Sequence, residues 1–529
     1  MLYPKDREGC KKGYYPLIVT LYLLCLSLGG CKEKPGNPNS NISIEAFSDL
    51  KTSSYALNSK KIQENIASLC YADKDSSAAD YRTRTYYLKG GAFLWIDRSG
   101  IDSRPDTLLA ELRRQVTDMG FSERSFDVQM IQTDLNRLRG LDFNDSVNTI
   151  NRVMARLEYR LTKAYLRYVV GQRFGFVNPK YVFNRLDALR EDSMGRALSY
   201  RKLYDVDIQR PDKSFYEKAF RNISNDSLGL FLRSVHPTDD MYFVLKGKLQ
   251  HCRNAAMRRL LLCNMERYRW RENHPLDKSG KYVVVNIPSY HLYAYGPDSI
   301  VSMRIGCGSV KTKTPLLNSK IERMDVNPAW NIPMSIIQKD IVHHAGNAGY
   351  FTSRRYYIVE RSTGKRIEPS LVTQAMLLSG AYRVSQEGGE GNALGRIIFR
   401  FANNFSVFLH DTSSKGVFSR EDRSVSHGCV RVERPFDFAE FLLDNPDEWL
   451  LDRLRISMDM EPLTERGRAY VASGAESNRL IGSLQVKPAV PLSLAYYTLY
   501  REPDGVFRSW PDVYGFDNVI WQGIKPFMK

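Results

Sequence analysis

The sequence lacks the short motifs that identify several common classes of site. None of its eight cysteines forms a C-x-x-C pair, so zinc ribbons and thioredoxin-like redox sites have no support. No G-x-G-x-x-G or phosphate-loop motif occurs, which leaves a nucleotide site without a signature. The apolar segment near the N-terminus, residues 17–28, is shorter than the roughly 20 residues of a membrane-spanning helix. These absences direct attention to isolated residues and to the ends of the chain.

The composition is that of a globular, basic protein. Hydrophobic residues make up 43% and charged residues 26% of the 529 residues, and the formal net charge is +17. A basic chain favours acidic partners such as nucleic acid, anionic lipid or an acidic polymer. The N-terminal sequence helps to decide among these partners. It has the features of an export signal, and an exported protein rarely meets nucleic acid.

The first forty residues have the pattern of an export signal followed by a tether. Basic residues precede the apolar segment 17–28, as in secretory signals, and the segment ends in "LGGC". This ending resembles a bacterial lipobox, in which Cys31 would be the lipidated first residue of the mature protein. We therefore expect a lipoprotein signal over 1–30 and a flexible tether over 31–60, with an ordinary signal peptide or a membrane anchor with a chance cysteine as the alternatives. Lys32 weakly favours the outer membrane, because many lipoproteins retained in the inner membrane carry aspartate there. The expected location is the periplasmic face, with the protein anchored to a membrane by lipid.

The residue pattern of the rest of the chain changes twice. Apolar residues recur at helical spacing over 61–277, which predicts a helical domain. Short β-branched and aromatic runs separated by turn residues predict a mostly β domain over 278–455. Within it, 334–395 reads as an insertion that would cap a site. The tail, 456–529, is expected to pack on the helical domain. The predicted fold class is α+β with several domains.

One short motif carries the chemistry. "SVSHGCVRV" places Ser426, His427, Gly428 and Cys429 in a row, with Arg431 two residues later. A cysteine attacks as its thiolate and so needs a base or a positive environment. A second histidine, His410, ends a predicted strand upstream and can be brought beside Cys429 by a strand, a loop and a return. A buried structural thiol and a zinc site using Cys429, His427 and His410 remain alternatives from these residues alone.

The motif resembles the signature of the L,D-transpeptidase family. That signature is a histidine, roughly fifteen residues, then Ser/Thr-His-Gly-Cys, a hydrophobic residue and Asn or Arg, and "HDTSSKGVFSREDRSVSHGCVRV" matches it. Segments such as "NIPSYHLYAY", "NPAWNIP", "GGAFLWIDRSGID" and the tail "VPLSLAYYTLYREPDGVFRSWPDVYG" are similar to the large exported, multi-domain branch. The chain departs from many members, because "FVLKGKLQHC" runs almost directly into "NMERYRW" and leaves no room for their inserted peptidoglycan-binding module.

The resemblance implies a helical scaffold domain, a mostly β catalytic domain and a cysteine-dependent acyl transfer on peptidoglycan. Cys429 would attack the carbonyl before the terminal D-alanine of a tetrapeptide stem, and a side-chain amine of another stem would complete a 3→3 cross-link. The resemblance implies that His410 is the base, oriented by the carbonyl of Asp411, and that the N–H groups of Gly428 and Cys429 are the oxyanion donors. Ser426 would brace the loop, while His427 and Arg431 would shape the site and bind a carboxylate of the donor. Trp330 and Tyr350 would lie in the cap over the stem peptide. No metal or organic cofactor is implied. The expected partners are the stem peptides and, through the lipid, a membrane.

Two further functions stay open at this point. The same thioester passed to water would make an L,D-carboxypeptidase, and passed to a protein lysine it would anchor proteins to the wall. A non-catalytic wall-binding lipoprotein is a function of a different class.

Overall fold

The computed structural model describes residues 57–96, 100–144, 146–223, 227–474 and 480–529. The expected signal peptide, almost all of the tether and the lipidation site Cys31 lie outside these residues. The chain divides into two compact units, one with residues 57–106 and 127–163 and the other with 107–126 and 164–529. No helix in the described ranges has the length and apolar content that crossing a bilayer requires.

Helices dominate the described chain up to residue 269, as the apolar spacing predicts. Leu108, Leu112 and Val116 follow that spacing and are fully buried. Side chains cap several helix starts: that of Asn58 accepts from the N–H of Lys61, and that of Asn254 from the N–H of Met257. The helices are α1 Ser59–Ala72, α2 Ala78–Leu88, α3 Arg104–Asp118, α4 Val128–Gly140, α5 Ile150–Phe174, α6 Pro179–Phe183, α7 Lys213–Ile223, α8 Leu228–Ser234, α9 Asp240–His251 and α10 Ala255–Arg269.

Two features of this helical part bear on the sequence analysis. Only three residues separate α9 from α10, so no inserted module lies there. A hairpin of two short strands, β1 Ala188–Glu191 and β2 Ala197–Tyr200, interrupts the helices and was not predicted. Its strands are largely exposed, so they lack the alternation of buried and exposed residues that reveals a strand in a sequence.

Nine of the described strands after residue 280 build one large sheet. The strands are β3 Tyr282–Asn286, β4 His291–Tyr295, β5 Ile300–Gly308, β6 Leu317–Val326, β11 Ile397–Phe401, β12 Leu409–His410, β13 Ser424–Ser426, β14 Val430–Val432 and β15 Ser483–Ala495. Their order is β13-β5-β14-β12-β11-β6-β15-β3-β4, and β4 also pairs with β5, so the sheet closes on itself. Its interior is filled by fully buried apolar side chains, including Val285, Leu292, Ile305, Ile321 and Phe399.

The C-terminal segment corrects part of one expectation. The sequence analysis placed 456–529 on the helical scaffold, and its last helix does pack there, but β15 lies inside the sheet, antiparallel to β6 and parallel to β3. Its inward residues Leu492 and Leu494 are fully buried, so burial against the sheet decides its place. The segment also forms the hairpin of β16 Leu499–Arg501 and β17 Phe507–Ser509 and ends in the helix Phe516–Ile524, which packs on α10. The remaining helices of this part are Pro435–Leu442, Glu448–Ser457 and Glu465–Ala472.

The insertion forms a small structure with its own core. Four short strands, β7 Trp330–Asn331, β8 Tyr356–Glu360, β9 Arg366–Ile367 and β10 Tyr382–Gln386, make a sheet in the order β7-β10-β8-β9. Short helices at Met334–Ile336, Ala348–Ser353 and Gln374–Leu378 accompany it. Buried Ile337, Phe351, Ile358, Leu377 and Val384 form a separate cluster under this sheet. We call residues 330–395 the cap.

Candidate active site

Strand register places Cys429 and His410 on one face of the sheet. In the parallel pair of β12 and β14, Leu409 lies opposite Val430 and His410 opposite Arg431. Leu409 and Val430 are fully buried and point into the core, so His410 and Arg431 point to the other face. Cys429 comes two residues before Arg431 and shares that face. The histidine and cysteine selected from the sequence therefore lie on the same face of paired strands, although they are nineteen positions apart in the chain.

A left-handed turn presents the cysteine. Gly428 has a φ of 122°, which residues with a Cβ rarely adopt, and this explains the glycine before Cys429. The hydroxyl of Ser426 donates to the carbonyl of Cys429 at 2.6 Å and accepts the N–H of Gly428 at 3.0 Å. Ser426 thus braces the loop from inside.

This brace changes the expected pair of oxyanion donors. The N–H of Gly428 was expected to face an oxyanion, but it is bonded to Ser426. The backbone N–H of Cys429 has no acceptor among the described residues. Of these two N–H groups, the one available to an oxyanion is therefore that of Cys429.

A neighbouring loop, residues 308–314, holds the cysteine loop from outside and was missed in the sequence. The hydroxyl of Thr312 donates to the carbonyl of Ser426 at 2.7 Å, and that of Thr314 donates to the carbonyl of Gly428 at 2.8 Å. The only signal in the sequence was "KTKTP", whose threonines read as ordinary turn residues. Their contact with residues more than a hundred positions away is visible only in the fold.

His410 is held as a neutral base. Its Nδ1 contacts the backbone carbonyl of Asp411, the contact expected from the resemblance, and this fixes the tautomer with the proton on Nδ1. The ring is buried, and burial lowers the pKa of His410 to about 4, with the positive charge of Arg431 as the second cause. At neutral pH the other ring nitrogen therefore carries a lone pair that can accept a proton.

Asp411 acts through its backbone, while its side chain ties down the end of the cap. Its carboxylate accepts the N–H of Arg396 at 2.9 Å and forms an ion pair with Lys415. Gly395 adopts a φ of 65° beside it, and a Cβ there would lie 2.4 Å from the carboxyl group. The residue that orients His410 is thus fixed by the segment where the cap returns to the sheet.

The sulfur of Cys429 is a protonated thiol at neutral pH. Burial raises the pKa of Cys429 to about 11, against smaller lowering effects from the N–H of Phe408 and the charge of Arg431. The side chain is nevertheless only partly buried by surface area, so a ligand can reach it. In the resting state a neutral thiol and a neutral imidazole therefore lie on the same face of the sheet.

Arg431 supplies the positive charge of this face. Its guanidinium is close enough to Cys429 and Arg420 for their charges to shift its pKa, which burial lowers. Its Nε is buried without a hydrogen-bond partner in the described structure. His427, in contrast, is exposed beside the loop, with no hydrogen bond to the described residues. Arg431 therefore fits the expected carboxylate-binding role better than His427 does.

Trp330 and Tyr350 both lie in the cap. Trp330 forms part of β7, opposite Gln386 of β10. The ring of Tyr350 stacks on His344 at 3.8 Å between centroids, and Arg354 lies 4.1 Å from its centroid. Both side chains pack against the buried core of the cap.

The cysteines and histidines elsewhere form no second centre in the described residues. Cys70, Cys252, Cys263 and Cys307 are free thiols there, as is Cys429. Within the same residues, no three His, Cys, Asp or Glu side chains are grouped so that they could hold a metal ion.

Comparison with known proteins identifies the domain that contains these residues. Residues 280–451 match the family model of the L,D-transpeptidase catalytic domain, and residues 81–249 match that of a scaffold domain. The chain is 26% identical over 334 residues to a Haemophilus influenzae protein named "Putative L,D-transpeptidase". That match covers 61% of this chain and 63% of the relative, so the chain spans less than two thirds of the relative's length. Residues 280–451 are therefore an L,D-transpeptidase catalytic domain by family model, and the scaffold-domain match precedes them in the chain.

Proposed function

We propose that this protein forms 3→3 peptidoglycan cross-links through a thioester on Cys429. The observation that supports the proposal most directly is that Cys429 and His410 share one face of adjacent strands inside an L,D-transpeptidase catalytic domain. The donor would be a tetrapeptide stem, and D-alanine would leave.

The first half-reaction starts from the neutral pair. As the sulfur of Cys429 attacks the carbonyl before the terminal D-alanine, its proton passes to the free ring nitrogen of His410. The oxyanion that forms accepts the N–H of Cys429. When the intermediate collapses, the C–N bond to D-alanine breaks and the imidazolium returns the proton to the leaving amine. The products are D-alanine and a thioester.

The second half-reaction reverses the roles. His410 takes a proton from the side-chain amine of an acceptor stem as that amine attacks the thioester. The C–S bond breaks, the thiol regains its proton, and a new amide joins the two stems. Because the resting histidine is neutral, it is ready to act as base at neutral pH in both halves.

Arg431 would bind a carboxylate of the donor. It lies on the reactive face opposite His410, its buried Nε is without a partner in the described structure, and it can offer a planar fork of donors. The cap, whose return segment is bonded to Asp411, would cover the bound stem.

The proposed location is the periplasmic face of a membrane, with Cys31 lipidated. The supports are the signal-like pattern of the first thirty residues and the basic charge of the chain, which suits a surface rich in carboxylates.

The proposal is tested by removing the sulfur of Cys429. Cys429→Ala is expected to abolish 3→3 dimers and D-alanine release from purified tetrapeptide muropeptides, because no thioester can form. Cys252→Ala is the matched control, since Cys252 is also a partly buried free thiol and lies outside the catalytic domain. Dimer formation by the Cys429→Ala variant at the wild-type rate would refute the proposal.

The same products distinguish the other acceptors. Tripeptides without dimers would identify an L,D-carboxypeptidase, and stems joined to an added protein lysine would identify an anchoring enzyme. Failure of wild-type Cys429 to become acylated at all would leave a non-catalytic wall-binding protein.

A further inference from the structure

The peptide bond between Gly428 and Cys429 carries an N–H that is free to bind an oxyanion. Its N–H belongs to Cys429 and has no acceptor in the described structure, while the N–H of Gly428 is bonded to Ser426. In a trans peptide the C=O and the N–H point in opposite directions. A group that fixes the carbonyl of Gly428 therefore also fixes the direction of the Cys429 N–H.

Thr314 is the group that fixes this carbonyl. Its hydroxyl donates to the carbonyl of Gly428 at 2.8 Å and accepts the N–H of Gly308 at 2.9 Å. The residue is fully buried, so water cannot replace it. Because a hydroxyl has one proton, the bond from Gly308 leaves that proton for the carbonyl of Gly428.

Tyr514 holds Thr314 in turn. The Tyr514 hydroxyl accepts the backbone N–H of Thr314 at 3.1 Å and donates to the carbonyl of Gly308 at 2.6 Å. It thus pins both ends of the loop 308–314. Tyr514 is buried, and its own N–H is bonded to the hydroxyl of Tyr496 at 2.8 Å.

The loop leaves little freedom for any other arrangement. A Cβ on Gly308 would lie 2.1 Å from the backbone oxygen of Thr312, so the turn is closed on itself. The chain of hydrogen bonds then runs from Tyr514 to Thr314, to the carbonyl of Gly428, and through the peptide plane to the Cys429 N–H.

We propose that Thr314 and Tyr514 are positioning residues that orient the Cys429 N–H toward the oxyanion. The inference rests on the proposed function, since it assigns an oxyanion to Cys429. Neither side chain touches the substrate, and both act on the tetrahedral intermediate through the Gly428–Cys429 peptide.

Two reactions of the same sulfur separate this role from a merely structural one. Acylation by a tetrapeptide muropeptide, followed as D-alanine release in a single turnover, passes through an oxyanion. Alkylation by iodoacetamide, followed by peptide mass mapping of Cys429, displaces iodide and forms no oxyanion. A variant that only disturbs the sulfur or its access should slow both reactions.

Thr314→Val keeps the shape of the side chain and removes the hydroxyl. We expect its acylation rate to fall about 10- to 100-fold, which is a smaller decrease than complete removal of an oxyanion donor causes. Its alkylation rate should stay within about twofold of the wild-type rate. Thr314→Ser, which keeps the hydroxyl, should recover most of the acylation rate. Tyr514→Phe should show a smaller loss of acylation of about three- to tenfold, because Thr314 remains in place.

The outcomes are distinguishable. No acylation of wild-type Cys429 would sink the proposed function itself. Normal acylation of wild type together with an equal loss of acylation and alkylation in Thr314→Val, or no loss in either, would overturn only the positioning role. If Thr314→Val unfolds, as judged by its thermal midpoint, Tyr514→Phe and Thr314→Ser carry the same comparison.

Discussion

The protonation of Cys429 leads to a prediction about its reactivity with pH. Burial raises the pKa of the thiol to about 11, so the thiolate fraction is about 10⁻⁴ at pH 7 and about 10⁻² at pH 9. Because only the thiolate is alkylated, the rate of reaction with iodoacetamide should rise about 100-fold between these pH values.

Titration of His410 should not affect the dependence of the alkylation rate on pH. Its pKa is lowered to about 4 by burial and by Arg431, so His410 stays neutral from pH 5 upward. Acyl transfer, which needs the neutral base, should fall only as the pH drops through about 4, because below that value the proton occupies the accepting nitrogen.

The assay is peptide mass mapping of Cys429 after timed exposure to iodoacetamide between pH 5 and 9. The Cys252→Ala variant removes a second partly buried thiol, and Cys429→Ser gives the background. A plateau of fast alkylation that begins between pH 5 and 8 would show a preformed thiolate–imidazolium pair and refute the reasoning.

Two more predictions concern parts that support the site. Ser426→Ala leaves the buried N–H of Gly428 without its acceptor. We therefore expect the free energy of unfolding to fall by about 1–3 kcal/mol and acylation to become slower. An unchanged denaturation midpoint would contradict the bracing role of Ser426. Phe351→Ala removes a fully buried ring from the core of the cap at a cost of about 3–5 kcal/mol, which should raise hydrogen exchange in the cap, whereas the sheet around Phe399 should keep its protection. Equal loosening of both would contradict a separate core in the cap.

The sequence carried enough information for the reactive pair and for most strands. β-Branched and aromatic runs predicted a mostly β domain that includes the strands around residues 282–308, and the spacing of His410 and Cys429 selected two residues that the fold places on one face. Local patterns of this kind are set by neighbours along the chain.

The parts that could not be predicted depend on contacts between distant segments. Thr314 shows this, because nothing near it in sequence indicates a bond to Gly428. Loss of the Gly428 N–H as an oxyanion donor is a second case, because it follows from the rotamer of Ser426. The position of β15 is a third, since a strand's place in a sheet is decided by the faces it covers.

The position of β15 in the sheet has a consequence for the order in which the domain is completed during synthesis. Synthesis delivers His410 and Cys429 before it delivers residues 483–495, yet β15 lies between β6 and β3 in the finished sheet. Until that strand arrives, two strands that end up in the interior have open edges, and the interior is exposed on that side. A nascent chain stopped after its catalytic motif would contain β12 and β14, which pair with each other, in a sheet left open between β6 and β3. Completion of the sheet is thereby tied to a strand that begins at Ser483, well after Cys429 in the chain.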